Sequence, residues 1–394
     1  MEVKTEEHIT RVLGKYTNDL QGATVLCIAG VHGNEPSGVE ALKRVFEYLE
    51  KEKPTIKGQF VGLLGNITAL AEGERYVDED LNRIWTGENL DKYKASEEPP
   101  QKPESVEQLE FQFLLKNVTD VINNSSGDVF LVDLHTTSSE SQPFISIDDT
   151  LRNRAYALKF PMPIVLGLEE ELDGTLLNYI NKLGHVSLCV EGGQHDEASS
   201  VENLLASVWL ALFNSECIDP VDIPESYRYY DILAKNTLIA SKIYEVRYRH
   251  PIEHNEKFQM KPGFVNFQPI KRNQGLAIKD DVVINAPESG RIFMPLYQKK
   301  GEDGFFVIRE INMFWLRVSK YLRKLKIHGM LHYLPGVRRL NRNNNILMIN
   351  KRIARWYVIE LFHLLGYRRK FQKDNHIIFM KREYDVESPK SLRI

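Results

Sequence analysis

Unbroken apolar runs that end in a polar or ligand-type residue recur along the first half of the chain. "TVLCIAG" (Thr24 to Gly30), "GQFVGLLGN", "GDVFLVDLH", "PMPIVLG" and "GHVSLCVEGG" are of this kind. Apolar runs without polar alternation read as strands buried on both faces. Between them lie segments of helical period; in "EPSGVEALKRVFEYLEKE" the residues Val39, Leu42, Val45, Phe46 and Leu49 share one face. Strands interleaved with helices predict an α/β fold, a mostly parallel or mixed sheet with helices on both faces. In such sheets chemistry gathers beyond the carboxyl ends of the strands.

The texture changes twice. "ENLDKYKASEEPPQKPES" (from Glu88 up to Val106) is acidic and proline-rich and reads as an exposed loop. From about Pro220, short β-type runs such as "IYEVRYRHPI" and "FFVIREI" are separated by Gly and Pro, as in a small all-β domain. From Asn312, "MFWLRVSKYLRKLKIHGMLHYL" and "INKRIARWYVIELFHLLGY" read as basic amphipathic helices. "RRKFQKDNHIIFMKRE" then reads as a hairpin turning at Asp374 and Asn375. The expected division is therefore 1–219, an α/β domain; 220–311, a β domain; and 312–394, a basic helical and hairpin extension.

Length and charge support that division. At 394 residues the chain exceeds a usual single domain. The formal net charge of -3 hides an asymmetry: residues 312–394 hold 19 Lys and Arg against 5 Asp and Glu, and the remainder holds 32 against 49. The simplest reading is a basic tail docked on an acidic body; a surface for nucleic acid or anionic lipid is the alternative. The tail's aromatics Trp315, Tyr321, Tyr333, Trp356 and Tyr357 fall among apolar residues at helical spacing and are read as core. No run approaches the ~20 apolar residues of a membrane span, and "MEVKTEEHIT" lacks a signal peptide's apolar core. Cys27, Cys189 and Cys217 are odd in number and form no CxxC, which points to reduced thiols in a cytoplasm.

Three strand ends carry residue types that can do chemistry. His32 and Glu35, in "GVHGNEPSG", can present a ring nitrogen and a carboxylate to one ion, although a His-x-x-Glu pair is commonly a surface pair. His135 ends "FLVDLH", with Asp133 two residues earlier on the same strand face and able to orient a ring. A solvated strand end is the plain reading of His135, and the same local context at two separate strand ends weighs against it. Glu191, in "SLCVEGG", can exchange protons with a metal-bound water, or be no more than a residue before a turn. In "GERYVDEDLNRIW", Arg75 and Arg83 suit an anionic substrate or, amid Glu72, Glu74, Asp78, Glu79 and Asp80, simple ion pairing.

Taken together, His32-Gly-Asn-Glu35, the segment from Asn66 through Arg75 to Asp80-Leu-Asn82-Arg83, Asp133-Leu-His135-Thr and Glu191 resemble the succinylglutamate desuccinylase/aspartoacylase family of the zinc carboxypeptidase clan, in order and spacing, from about residue 22 to 310. The resemblance implies one zinc ion per chain held by His32, Glu35 and His135. It implies Glu191 as general base and acid, and Arg75 as polariser of the scissile carbonyl. Asn82 and Arg83 would hold the substrate carboxylate, Tyr297 would touch substrate, and the β domain would wall the site. Aspartoacylases carry an arginine ten residues before the base; here that position is Asn181, so "GTLLNYINKLGHVSLCVEGG" is closer to the desuccinylase branch. The expected function is a cytoplasmic zinc-dependent amidohydrolase that removes a succinyl- or acetyl-like group from a small anionic N-acyl amino acid or similar carboxylate-bearing amine. The alternatives are a zinc carboxypeptidase acting on short peptides and, from another class, a binder of nucleic acid or an anionic surface through the extension. Nucleic acid and a membrane span are not expected, and a homo-oligomer is left open.

Overall fold

A computed structural model describes residues 10–94, 103–239, 242–253, 256–340, 345–350, 352–353, 358–373, 375–382 and 384–386. Each apolar run forms a strand as its pattern predicts. Leu20–Ala29 lies between Lys57–Leu64 and Val129–Thr137, parallel to both, and Val129–Thr137 continues in parallel to Val186–Gln194. All nine residues of Val129–Thr137 are buried, as expected for the middle of a covered sheet.

Residue parity divides the two faces. Val25, Cys27, Ala29, Phe130, Val132, Leu134, Val186, Leu188 and Val190 join one core cluster with the helices Ser37–Glu52 and Ala198–Asn214. Leu26, Ile28, Leu131 and Cys189 join the other, with the helices Val106–Asn123 and Leu176–Lys182. Period-2 alternation then puts Asp133, His135 and Glu191 on the second face. The helix Ser37–Glu52 buries Ala41, Leu42, Val45, Phe46 and Leu49, the stripe its spacing predicts.

The sheet does not stop at 219. Phe144–Ile147 pairs with Val186–Gln194 in the antiparallel sense and with Ile164–Leu166 in parallel. Ile164–Leu166 is joined in turn by Ile243–Pro251, then Asp303–Ile311, Gly290–Phe293 and Pro269–Ile270; with Val12–Thr17 antiparallel to Lys57–Leu64 at the other edge, the described residues form eleven strands in one mixed sheet. A three-stranded sheet of Val282–Asn285, Gly275–Lys279 and Phe258–Met260 stands beside it.

The extension differs from its expected helices. Met313–Lys324 is a helix, but Ile349 and Asn350, expected to open the second helix, end the strand Ile346–Asn350 of a four-stranded antiparallel sheet. Among the described residues, Val358–Leu364 is the helical part of that second segment. Tyr367–Lys373 and His376–Lys381 make the expected hairpin; Asn375 lies in its turn, and Asp374 lies outside the described residues. Trp315, Tyr321 and Tyr333 are exposed instead of core; Trp356 and Tyr357 lie outside the described residues. The acidic loop after Glu88 begins as the helix Gly87–Lys94, and residues 95–102 lie outside the described residues.

The extension docks on the body through buried charge. Arg323 bonds Asp149 Oδ2 at 2.8 Å and Asp385 Oδ1 at 2.9 Å, and Arg154 also meets Asp149. Arg382 bonds Glu170 at 3.0 Å, and Leu151 N donates to Asp385 O at 3.0 Å. Burial alone would raise the pKa of Asp149, but the guanidinium groups of Arg154, Arg323 and Arg382 outweigh it and hold the carboxyl below its usual range.

Candidate metal centre and active site

The turn after Leu20–Ala29 is built so that His32 and Glu35 face inward. Gly30 has φ +69°, and a Cβ on Gly33 would lie 2.0 Å from the Ala69 backbone, so the loop fits only with glycine there. His32 and Glu35 are buried, as is His135 from the end of Val129–Thr137. Glu35 lies between the rings: His32 Nδ1 is 2.8 Å from Oε1, and His135 Nδ1 is 3.2 Å from Oε2. Ligand-type atoms of all three fall within 4.8 Å of one another.

Each ring's far nitrogen meets a second carboxylate. His135 Nε2 is 2.9 Å from Asp133 Oδ2, close but off the hydrogen-bond line, and His32 Nε2 is 3.2 Å from Asp80 Oδ1. Two imidazoles backed by carboxylates, with a carboxylate between their near nitrogens, fit a divalent metal with an N, O, N donor set. Burial opposes the ionised form of Glu35, yet the charges and hydrogen bonds of His32 and His135 hold it well below the usual carboxylate range. Burial likewise disfavours a charged His135, but Asp133, Cys189 and Glu35 together raise its pKa well above the usual imidazole range.

Glu191 is the register partner of His135 on the adjacent parallel strand, so the two side chains leave the same face side by side. It is buried; Oε2 has no hydrogen-bond partner among the described residues, and Oε1 has only the Cys189 thiol at 3.9 Å. Burial, together with the nearby Glu35 and Asp133 charges and against the pull of His135, pushes its carboxyl up to about 8. Such a group is ready to gain and lose a proton near neutrality.

The remaining expected site residues are engaged with the chain itself. Arg75 bonds Asp80 Oδ2 at 3.0 Å and lies 3.6 Å from Glu35 Oε1, which ties it to the cluster. Asn82 Oδ1 accepts from Leu176 N at 3.0 Å, and Arg83 Nη2 donates to Asp303 Oδ2 at 2.9 Å. The Tyr297 hydroxyl donates to Lys261 O at 2.8 Å and accepts from Phe264 N at 3.0 Å. Asn181 accepts from Arg152 at 2.7 Å, beside the docked extension.

Three contributors escaped the sequence reading. Asp80 backs His32 and caps the turn of Asn82; the motif Asp80-Leu-Asn82-Arg83 marked its place, but in a run of acids nothing marked its role. His195, four residues after Glu191, contacts Thr136 Oγ1 at 2.8 Å and Gln298 at 3.2 Å. Gln298 also accepts from Asn34 Nδ2 at 2.9 Å, which pins the 294–303 segment over the metal loop. A third histidine so close to Glu191 was the available signal for His195; none marked Gln298.

Residues 21–209 match the catalytic domain of succinylglutamate desuccinylase/aspartoacylase. A succinylglutamate desuccinylase of Burkholderia lata is 36% identical over 81 residues, 21% of this chain and 23% of that protein. One of Pseudomonas paraeruginosa is 38% identical over 66 residues, 17% of this chain and 20% of that protein. The matched stretch thus spans only about a quarter of the length of these curated relatives. Among solved structures, the succinylglutamate desuccinylase of Chromobacterium violaceum is similar with TM-score 0.53 and 16% identity, covering 76% of this chain and 88% of that one. The product-bound ectoine utilization protein EutE (DoeB) of Ruegeria pomeroyi is similar with TM-score 0.52 and 17% identity, covering 75% and 87%. At those identities the likeness is one of fold, shared by proteins named for different substrates. Sequence match, fold and the His–Glu–His cluster agree on residues 21–209, just under half of the chain, as a catalytic domain of the succinylglutamate desuccinylase/aspartoacylase family.

Proposed function

We propose that the protein is a zinc-dependent amidohydrolase that removes an acyl group from an N-acyl amino acid or a similar carboxylate-bearing amine. In this reading residues 1–219 carry the chemistry and 220–311 wall it. The observation that carries the proposal is the pairing of an N, O, N donor cluster with a buried Glu191, held beside His135 by strand register, whose Oε2 has no partner among the described residues.

A zinc ion held by His32, Glu35 and His135 would supply a Lewis acid for the amide carbonyl and acidify a water beside it. Asp80 and Asp133 fix the two rings from behind. Glu191 takes a proton from the attacking water and returns it to the departing nitrogen, a role suited to a carboxyl whose affinity for protons burial has raised. Arg75, charged and positioned by Asp80, faces the developing oxyanion. Asn82 and Arg83 would receive the substrate carboxylate, and Tyr297 would touch substrate. The 294–303 segment is tied to Asn34 through Gln298, to Tyr76 O through Lys300 at 2.6 Å and to Arg83 through Asp303. A segment tied over the His32–Glu35 turn in this way would favour small acyl compounds over peptides.

The test is a hydrolysis screen of the zinc-loaded protein against N-acetyl, N-succinyl and N-formyl amino acids. Release of free amine from at least one class, abolished by Glu191→Gln, is the expected result. No release from any of them with zinc bound would contradict the reading.

A further inference from the structure

The arginine expected to read the substrate carboxylate already holds one from its own chain. Arg83 Nη2 donates to Asp303 Oδ2 at 2.9 Å, Nη1 to Asn82 O at 3.0 Å, and Nε lies 3.6 Å from Glu302 Oε2. Asp303 also bonds the Nε of Arg249, whose Nη1 donates to Glu171 O at 2.6 Å. The neighbouring cations are matched in the same way. Arg75 is paired with Asp80 and Glu35, and Lys300 lies 3.4 Å from Glu74. Lys299 on the same segment is exposed, where water and salt screen it. The four tethered cations Arg75, Arg83, Arg249 and Lys300 thus face five carboxylates: Glu35, Glu74, Asp80, Glu302 and Asp303.

Building on the deacylase reading above, we propose that Asp303 determines substrate charge: by occupying Arg83 and Arg249 it restricts the site to N-acyl amines with one carboxylate and disfavours dicarboxylates. A single substrate carboxylate can share or take Arg83 while Asp303 keeps Arg249. A second one finds every tethered cation matched and Asp303 itself repelling it. Asp303 lies close enough to Arg75 for its charge to act on that guanidinium, so the repulsion reaches toward the metal cluster. Asp303 acts here through Arg83 and Arg249 and takes no part in the chemical step.

N-acetylglutamine and N-acetylglutamate are alike in shape and differ by one negative charge, so their ratio of kcat/KM isolates the effect. The zinc-loaded full chain is expected to favour the glutamine compound by about tenfold or more at low salt, less at high salt. Asp303→Asn should shift that ratio toward the glutamate compound by about tenfold, mainly through KM. Asp303→Glu, which keeps the charge, should restore the original preference. A wild-type preference for the dianion, or a ratio unmoved by Asp303→Asn, overturns the proposal. Should Asp303→Asn fail to fold, Arg249→Gln, which strips a cation from Asp303 and leaves its charge, should move the ratio further from the dianion; an unmoved ratio overturns the proposal equally. If neither compound is cleaved, the deacylase reading fails on these substrates. Calorimetric binding of the two compounds to the zinc-loaded protein then reads the same preference, and tighter binding of the glutamate compound overturns it.

Discussion

Two regions of this molecule bury charge, and they do so in opposite ways. Where the extension meets the body, Arg323, Arg154, Arg382, Asp149 and Asp385 are buried, Glu170 is half-buried, and each is matched by an opposite charge. At the metal cluster, Glu191 is buried with an oxygen that has no partner among the described residues, and the ligand atoms of two histidines converge on one carboxylate. A matched network holds pieces of chain together; an unmatched, converging one leaves work for a metal and a proton. The first is a structural joint and the second a candidate reaction centre, although both are acidic and basic residues in the interior.

Substitutions should separate the two. Glu191→Gln keeps the shape and loses the base, so turnover should fall by ~10²–10⁴ while the folded fraction is unchanged, as read by steady-state kinetics beside a denaturation curve. Arg323→Ala should do the reverse. Taking its guanidinium from buried Asp385, and one of three from Asp149, is expected to cost ~3–5 kcal/mol of stability in urea unfolding, with kcat retained in the fraction that stays folded. Loss of kcat with no loss of stability in Arg323→Ala would erase the distinction. Asp80→Asn should weaken metal affinity ~10–100-fold through the His32 ring, measured by competition with a chelating dye, without abolishing binding.

The two regions should also respond to pH with opposite signs. Asp149 is held below its usual range, so the stability it contributes is present above its unfolded pKa and is lost on acidification. Glu191 in the metal-free protein is raised from about 4.5 to about 8. Its folded-state proton therefore stabilises fully below about 4.5, and that contribution disappears as pH climbs to about 8. Glu191→Gln should accordingly gain stability over the metal-free parent across that rise, on the order of a few kcal/mol, with no further gain above it. Parallel curves for variant and parent would mean that Glu191 is not held neutral.

How much of this was legible in the sequence follows from the same physics. Strands buried on both faces announce themselves as unbroken apolar runs, so the strands ending near His32, at His135 and in Glu191 were readable together with the chemistry at their ends. The partners were not. Asp80 reaches His32 only because the 66–83 segment folds back over the turn, and Gln298 arrives from a loop more than a hundred residues after Glu191. In the extension, "ILMIN" has no period that tells strand from helix; its pairing with His376–Lys381 decides it, and that contact lies far along the chain. Trp315 and Tyr321 sit at helical spacing among apolar residues, yet Leu316, Ser319 and Arg323 form the buried face of that helix. The charged docking residues took the place the aromatics were expected to hold.

The central claim is that His32, Glu35 and His135 hold one metal ion beside a base that does not hold it. Zinc titration of the metal-free protein by calorimetry tests this most directly, on the parent, Glu191→Gln and His135→Ala chains. The account predicts about one zinc per chain for the parent and for Glu191→Gln, and no comparable binding for His135→Ala. Full binding in His135→Ala, or its loss in Glu191→Gln, would contradict it.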